Sequence, residues 1–154
     1  MIREATNEDM PKVRALFREY QEWLNIDLCF QGFEEELAAL PGAYAPSKGA
    51  IFLAIAEEEV IGCVGIRPRK EISGEAELKR LYVKPAYHGQ GIGRRLFHTA
   101  MAKAKNIGYE SIVLDTLPTM HEAKSLYKSY GFKEIPEYYS NPEEGAEYYR
   151  YTFS

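Results

Sequence analysis

Apolar residues along the chain follow two periods, and the places where the period changes mark the elements. Met10, Val13, Leu16, Phe17, Tyr20 and Leu24 recur every three or four positions, the spacing of one helical face. They predict an amphipathic helix over residues 7–25, entered from a short strand, "IREA", with Thr6 as cap and Asp9 completing a variant capping box. "FEEELAAL" predicts a second helix stopped by Pro41-Gly42, and "AYAPSKGA" reads as loop by composition. "AIFLAIA" and "VIGCVGIRP" are β-rich runs joined by the acidic turn Glu57-Glu58-Glu59, which predicts a hairpin. "EAELKRLYV" predicts a fourth strand, ending at Pro85.

Ile92, Leu96, Ala100, Ala104 and Ile107 then return to helical spacing over residues 90–107, closed by Gly108 where a C-cap prefers glycine. "SIVLDT" reads as a buried strand, "HEAKSLYKSY" as a helix stopped by Gly131, and "GFKEI" and "AEYYRYTF" as the last strands. Helices alternating with strands in the second half point to an α/β sheet, and the hairpin makes that sheet mixed. Repeats, low-complexity tracts and linkers are absent from the sequence, and 154 residues suit one domain, 1–154.

Composition changes this picture little: 45% hydrophobic and 27% charged is ordinary for a soluble protein. The formal net charge of −4 disfavours a nucleic-acid partner. Its distribution is more informative. Seven cations (Lys79, Arg80, Lys84, Arg94, Arg95, Lys103 and Lys105) fall between Lys79 and Lys105 with no Asp or Glu among them, which suggests a local anionic ligand or else a solvated helix face. Cys29 and Cys63 occur in unrelated contexts and the three histidines do not pair with them, so no metal is expected. "MIREATNEDM" has no apolar run and nowhere do 18 apolar residues follow one another. The expectation is a cytoplasmic protein with reduced thiols and no membrane partner.

The feature that asks for chemistry is "HGQGIGRR", residues 88–95. A P-loop would need Gly-Lys-Ser/Thr at a spacing absent here, and a dinucleotide fingerprint would need a third glycine where Arg94 or Leu96 stands. A strand ending at residues 83–85, a bare turn and a helix start instead make an anion-binding concavity, where successive N–H groups and the helix dipole favour a phosphate. Arg94 and Arg95 follow within the first helical turns.

"ELKRLYVKPAYHGQGIGRRL" resembles the acyl-CoA-binding motif of the GNAT superfamily of N-acyltransferases: Arg or Gln, two residues, Gly, one residue, Gly or Ala. His88 stands on the first position and Gly91 and Gly93 on the small ones. "EAKSLYKSYGF" is similar to the A-x-x-L/F-Y-x-x-x-G-F segment near the family's C-terminus, and the strand between the two blocks also agrees. "FQGFEEELAALPGAYAP", "LDTLPTM" and "YYSNPEEGAEYY" look like one recurring bacterial subgroup of small acetyltransferases. The resemblance covers essentially the whole chain. It implies a mixed, mostly antiparallel central sheet of about seven strands flanked by helices, with acetyl-CoA as co-substrate.

The same resemblance implies direct attack of an amine on the thioester. Backbone at Leu81, Tyr82 and Val83 would supply the oxyanion donor and pair with the pantetheine arm, while His88, Gly89, Gln90, Gly91, Ile92, Gly93 and Arg94 would hold the pyrophosphate. Tyr127 falls on the family's L/F-Y tyrosine and is expected to act as acid or to orient the thiol, with core packing as its alternative. An alkylammonium with a pKa of about 10 must lose a proton before it attacks. Glu77, Asp115 or a chain of water is expected to take that proton; the alternatives are a cross-strand charge pair for Glu77 and a loop cap for Asp115. Phe30, Phe33, Tyr44, Tyr138 and Tyr139 are candidates to line the acceptor site, and Glu34–Glu36 or Glu143–Glu144 to attract its charge. A small-molecule amine is the expected acceptor. A protein N-terminus or lysine, a non-catalytic acyl-CoA sensor, and assembly as a homodimer all remain open.

Overall fold

The computed structural model describes residues 1–25, 32–139, 143 and 145–154. Strand β1 (Ile2–Glu4) leads through a 3₁₀ turn to helix α1 (Met10–Leu24). At that junction the Asp9 carboxylate accepts the Thr6 N–H at 2.7 Å and is gripped by the Arg3 guanidinium. Helix α2 (Phe33–Ala39) precedes β2 (Ala50–Ala56), β3 (Glu59–Pro68) and β4 (Glu75–Val83). Then come α3 (Ile92–Ile107), β5 (Ser111–Thr116), α4 (His121–Tyr130), β6 (Lys133–Ile135) and β7 (Glu147–Thr152). The element order is the one the periodicity predicts.

The seven strands form one sheet in the order β1-β2-β3-β4-β5-β7-β6. Only β4 and β5 run parallel; every other neighbouring pair is antiparallel. Two apolar layers cover it. On one face Ile92, Leu96, Phe97, Ala100, Met101 and Ala104 of α3 are buried against the alternate residues of β2–β5, joined by Tyr127 of α4 and Phe132. Each fully buried Leu or Phe there contributes about 1.5–3 kcal/mol by leaving water. On the other face Met10, Val13, Leu16 and Phe17 of α1 and Phe33 and Leu37 of α2 pack on Ile51, Leu53 and Cys63. This second layer covers the β1–β3 half of its face with hydrocarbon.

The parallel seam is short. Glu75, Ala76 and Glu77 pair with Ser111, Ile112 and Val113, and pairing stops there, although β4 runs on to Val83 and β5 to Thr116. Beyond that point the two strands diverge into a wedge. β4 also carries a bulge on its β3 side: the register slips between Cys63 and Gly65, and Arg80 sits at φ 61°. A left-handed non-glycine residue inside a strand costs roughly 1–3 kcal/mol and persists only where its surroundings enforce it.

Candidate active site

The glycine turn lies beside the open end of the wedge. α3 is capped by Gly91 at φ 77°, and Gly89 is at φ 82°. A Cβ at either position would meet nothing within 4 Å. The glycines are therefore required by backbone conformation, and the space over them is open to a ligand. The first intrahelical bond runs from Arg95 N–H to Gly91 O at 3.1 Å, so the amides of Ile92, Gly93 and Arg94 precede the helical ladder and point outward from its N-terminus. Arg94 and Arg95 are exposed there. The basic run divides. Lys79 and Arg80 are buried in ion pairs, Lys84 pairs with Glu59 and Lys103 with Glu4. Of the remaining three, Lys105 is at the far end of α3, and the exposed Arg94 and Arg95 are in its first turn, beside the glycines.

The wedge-side edge of β4 is sorted by one hydrogen bond. Lys84 N–H donates to Ile61 O of β3 at 2.9 Å, so the other end of that trans peptide, the Val83 carbonyl, points away from β3 toward the wedge. By strand alternation the backbone groups of Val83 and Leu81 face the wedge and those of Tyr82 face β3. Tyr82, expected beside them on the cofactor side, has a buried ring whose hydroxyl donates to Glu19 at 2.7 Å.

On the α1/α2 face, the floor beside the wedge is a layer of charges and phenols. Glu36 of α2 accepts both Nε (3.1 Å) and Nη2 (2.9 Å) of Arg80, and also accepts from Arg67 and from the Tyr44 hydroxyl. That fork holds the bulge in its left-handed conformation. Glu77 faces its register partner Arg67 at 3.2 Å, and its second oxygen accepts the Tyr138 hydroxyl at 3.0 Å. Lys79 reaches across the gap between β4 and β5 to Asp115 at 3.3 Å, and Tyr139 donates to Asp115 at 2.7 Å. Burial alone would raise the Glu36 and Asp115 carboxyls, but Arg80 beside the first and Lys79 with Tyr139 beside the second bring both below the usual carboxylate range. Burial holds the Lys79 ammonium below its ordinary value despite Asp115.

Tyr127 lies on the α4 side of the sheet, within the aromatic core. Its ring lies against Phe97 (5.5 Å between centroids) and Phe132 (5.8 Å), and it is 4% exposed. Burial first, with the negative charge of Asp115 adding to it, pushes its phenol above the ordinary range. Of the candidate residues, Tyr127 is thus on the α3/α4 face of the sheet, and Glu77 and Asp115 are in the charged layer on the other.

Several candidates from the sequence take other places. Phe33 and Tyr44 are fully buried rather than lining an acceptor wall: Phe33 lies under the Arg80 guanidinium, and Tyr44 fills the hollow at Gly65, where a Cβ would stand 2.7 Å from its ring. Tyr138 and Tyr139 do cover the carboxylates. Glu34 is an exposed partner of Arg18, so within Glu34–Glu36 the buried site charge is Glu36. Asp115 does not cap a loop; it belongs to the layer. Phe30, Cys29 and Glu144 lie outside the described residues. Among the described residues no group of three or more His, Cys, Asp or Glu is arranged to hold a metal ion, and no helix is long and apolar enough to cross a membrane.

The fold that carries this wedge and glycine turn agrees with comparisons to known proteins. The family model described as "Acetyltransferase (GNAT) family" matches residues 10–132. The chain belongs to this family. A relative in Schizosaccharomyces pombe, an uncharacterized N-acetyltransferase, is 37% identical over 148 residues, covering 96% of this chain and 90% of the relative. The GNAT fold is also that of an acetyltransferase from Streptococcus agalactiae (TM-score 0.79, 24% identity, 99% of this chain and 98% of that one). The PaiA N-acetyltransferase of Thermoplasma acidophilum, solved in complex with coenzyme A, superposes with TM-score 0.76 at 22% identity over 99% and 98% of the two chains. As a GNAT member the protein is an acyl-CoA-dependent acetyltransferase.

Proposed function

We propose that the protein moves the acetyl group of acetyl-CoA directly onto the primary amine of a small molecule. The wedge carries the reading: β4 and β5 part just where one edge presents the Leu81 and Val83 backbone and the other Asp115. The coenzyme A complex of the PaiA neighbour supports a pantetheine arm in that opening, its pyrophosphate on the amides of the Gly89–Gly93 turn. A wedge-facing N–H at Leu81 or Val83 then meets the thioester oxygen as charge develops on it.

Tyr127 donates to the sulfur. A free thiol has a pKa of about 8.5 and an ordinary phenol about 10, so a phenol raised further by burial keeps its proton; it stabilises the departing thiolate by hydrogen bonding. Glu77 and Asp115 are each engaged by a cation and a phenol, and Asp115 is a weakened base. They fix the ammonium of the acceptor, and its proton leaves through water. A small acceptor is favoured by the cover that α2, Tyr138 and Tyr139 place over the charged floor.

The test is release of free thiol from acetyl-CoA with a panel of small primary amines and of peptides bearing a free N-terminus or lysine. Turnover with small amines is the expected result. Turnover with peptides alone would replace the acceptor class, CoA binding with no turnover would favour a sensor, and preference for NAD or ATP over CoA would remove the reading altogether.

A further inference from the structure

His88 stands where the family's motif has Arg or Gln, at the entry to the glycine turn. Its Nε2 lies 2.7 Å from the Val83 carbonyl oxygen. A carbonyl only accepts, so Nε2 carries the proton and donates. That carbonyl is the last wedge-facing acceptor on β4, since Lys84 N–H already turns back to Ile61. The hydrogen bond closes a short ring through the 3₁₀ turn Pro85–Tyr87 and ties the first residue before Gly89 to the end of the strand. The ring is backed from outside: the Trp23 indole meets the imidazole edge-on at 5.9 Å and lies 5.6 Å from Tyr82.

From this geometry we infer that His88 is a positioning residue that acts as a strut between the two halves of the coenzyme A site. One half is the β4 edge, whose last peptide plane it sets; the other is the anion turn, whose first residue it anchors. A strut of this kind works through its N–H and needs no charge of its own. Glutamine places a side-chain N–H at similar reach and supplies the same bond, whereas alanine leaves Val83 O to water and lets strand and turn move independently.

The inference rests on the coenzyme A reading of the turn, and the experiment separates the two. The dissociation constant for CoA and the KM and kcat for acetyl-CoA are measured for the wild type, His88→Ala and His88→Gln. If the wild type does not bind CoA, the functional reading fails before His88 is in question. Loss of one part-buried hydrogen bond corresponds to about a three- to tenfold effect. The expected result is therefore a rise of that size in Kd and KM for His88→Ala with kcat within about twofold, and recovery to near wild type in His88→Gln. Equal Kd in wild type and His88→Ala overturns the strut. Failure of His88→Gln to recover, with the fold intact, also overturns it, because the residue would then act through imidazolium charge or its ring. Because Trp23 itself rests on the imidazole, the fold of each variant is checked by far-ultraviolet circular dichroism and the thermal unfolding midpoint rather than by its emission.

Discussion

The two faces of the sheet solve the same burial problem with opposite materials. Under α3 and α4 the interior is hydrocarbon and aromatic rings, with Phe97 touching Tyr127, Tyr130 and Phe132. Under α2 and Tyr138-Tyr139 the interior beside the wedge is Arg67, Glu77, Lys79, Arg80, Asp115 and Glu36, each held by at least one partner. Hydrophobic packing tolerates small displacements, whereas a buried charge needs its partner at hydrogen-bond distance or becomes a large penalty. The first face therefore supplies stability, and the second supplies fixed directions. A bulge such as that at Arg80 could not be kept left-handed by a soft apolar layer; the Glu36 fork keeps it there.

Four experiments bear on that contrast, taken from the largest effect to the smallest. Phe97→Ala should cost about 4 kcal/mol by opening a cavity under α3, read as a shift of the denaturation midpoint. Glu36→Ala should cost roughly 3 kcal/mol because Arg80 and Arg67 lose a buried partner, and here turnover should fall further than stability predicts as the bulge relaxes. If acetyl-CoA turnover in folded Glu36→Ala equals wild type, the two faces differ in composition only. Tyr127→Phe keeps the ring packing, so it should leave the melting temperature nearly unchanged while lowering kcat about ten- to a hundredfold, the worth of a hydrogen bond to a charged group. Arg18→Ala, which breaks a pair whose side chains are 49% and 55% exposed, should stay within about 0.5 kcal/mol.

A pH titration sharpens the same comparison. Glu36, Glu75 and Asp115 all sit below the usual carboxylate range in the fold. A depressed carboxyl adds stability above its unfolded pKa, about 4, and that stability drains away as pH falls through the folded value. Thermal unfolding midpoints should be level from about pH 5 to 7 and drop below about pH 4. In Glu36→Gln the drop should be shallower.

The element order was legible because period 3.6 is written plainly in stretches such as "LFREYQEWL", and because continuous β-rich runs such as "AIFLAIA" are short and bounded by turn residues. The turn was legible too, since only glycine takes the conformations at residues 89 and 91 at no cost. The charged floor was not. Glu75, Glu77 and Lys79 alternate with apolar residues, a pattern that ordinarily reads as the solvated face of a strand. Glu77 and Lys79 are inside because α2 and the 138–139 segment cover them, and Glu75 because Arg69, Arg150 and Ser111 close over it. No local pattern announces that cover. Arg80 was hidden by its own bulge: the slip in register turns a residue that alternation would place on the α3 face toward Glu36. The alternating signs of Glu77 and Lys79, with Arg67 one hairpin away, were the available hint. His88 looked like a departure from the motif, and its contact with Val83 could be seen only once strand and turn were folded together.

The short seam between β4 and β5 also orders events in time. Strands β1–β4 pair antiparallel with one another and precede α3 in the chain, so their pairing draws on no residue beyond Val83. A nascent chain extended to about Lys105 already holds the glycine turn and the first helix behind it. It lacks a second lip, because Asp115, Tyr127 and Tyr138-Tyr139 have yet to emerge. The turn proposed to hold the pyrophosphate thus belongs to the part synthesised first, and Asp115 and Tyr127, proposed for the chemistry, to the part that follows, joined to it by three residues of parallel pairing.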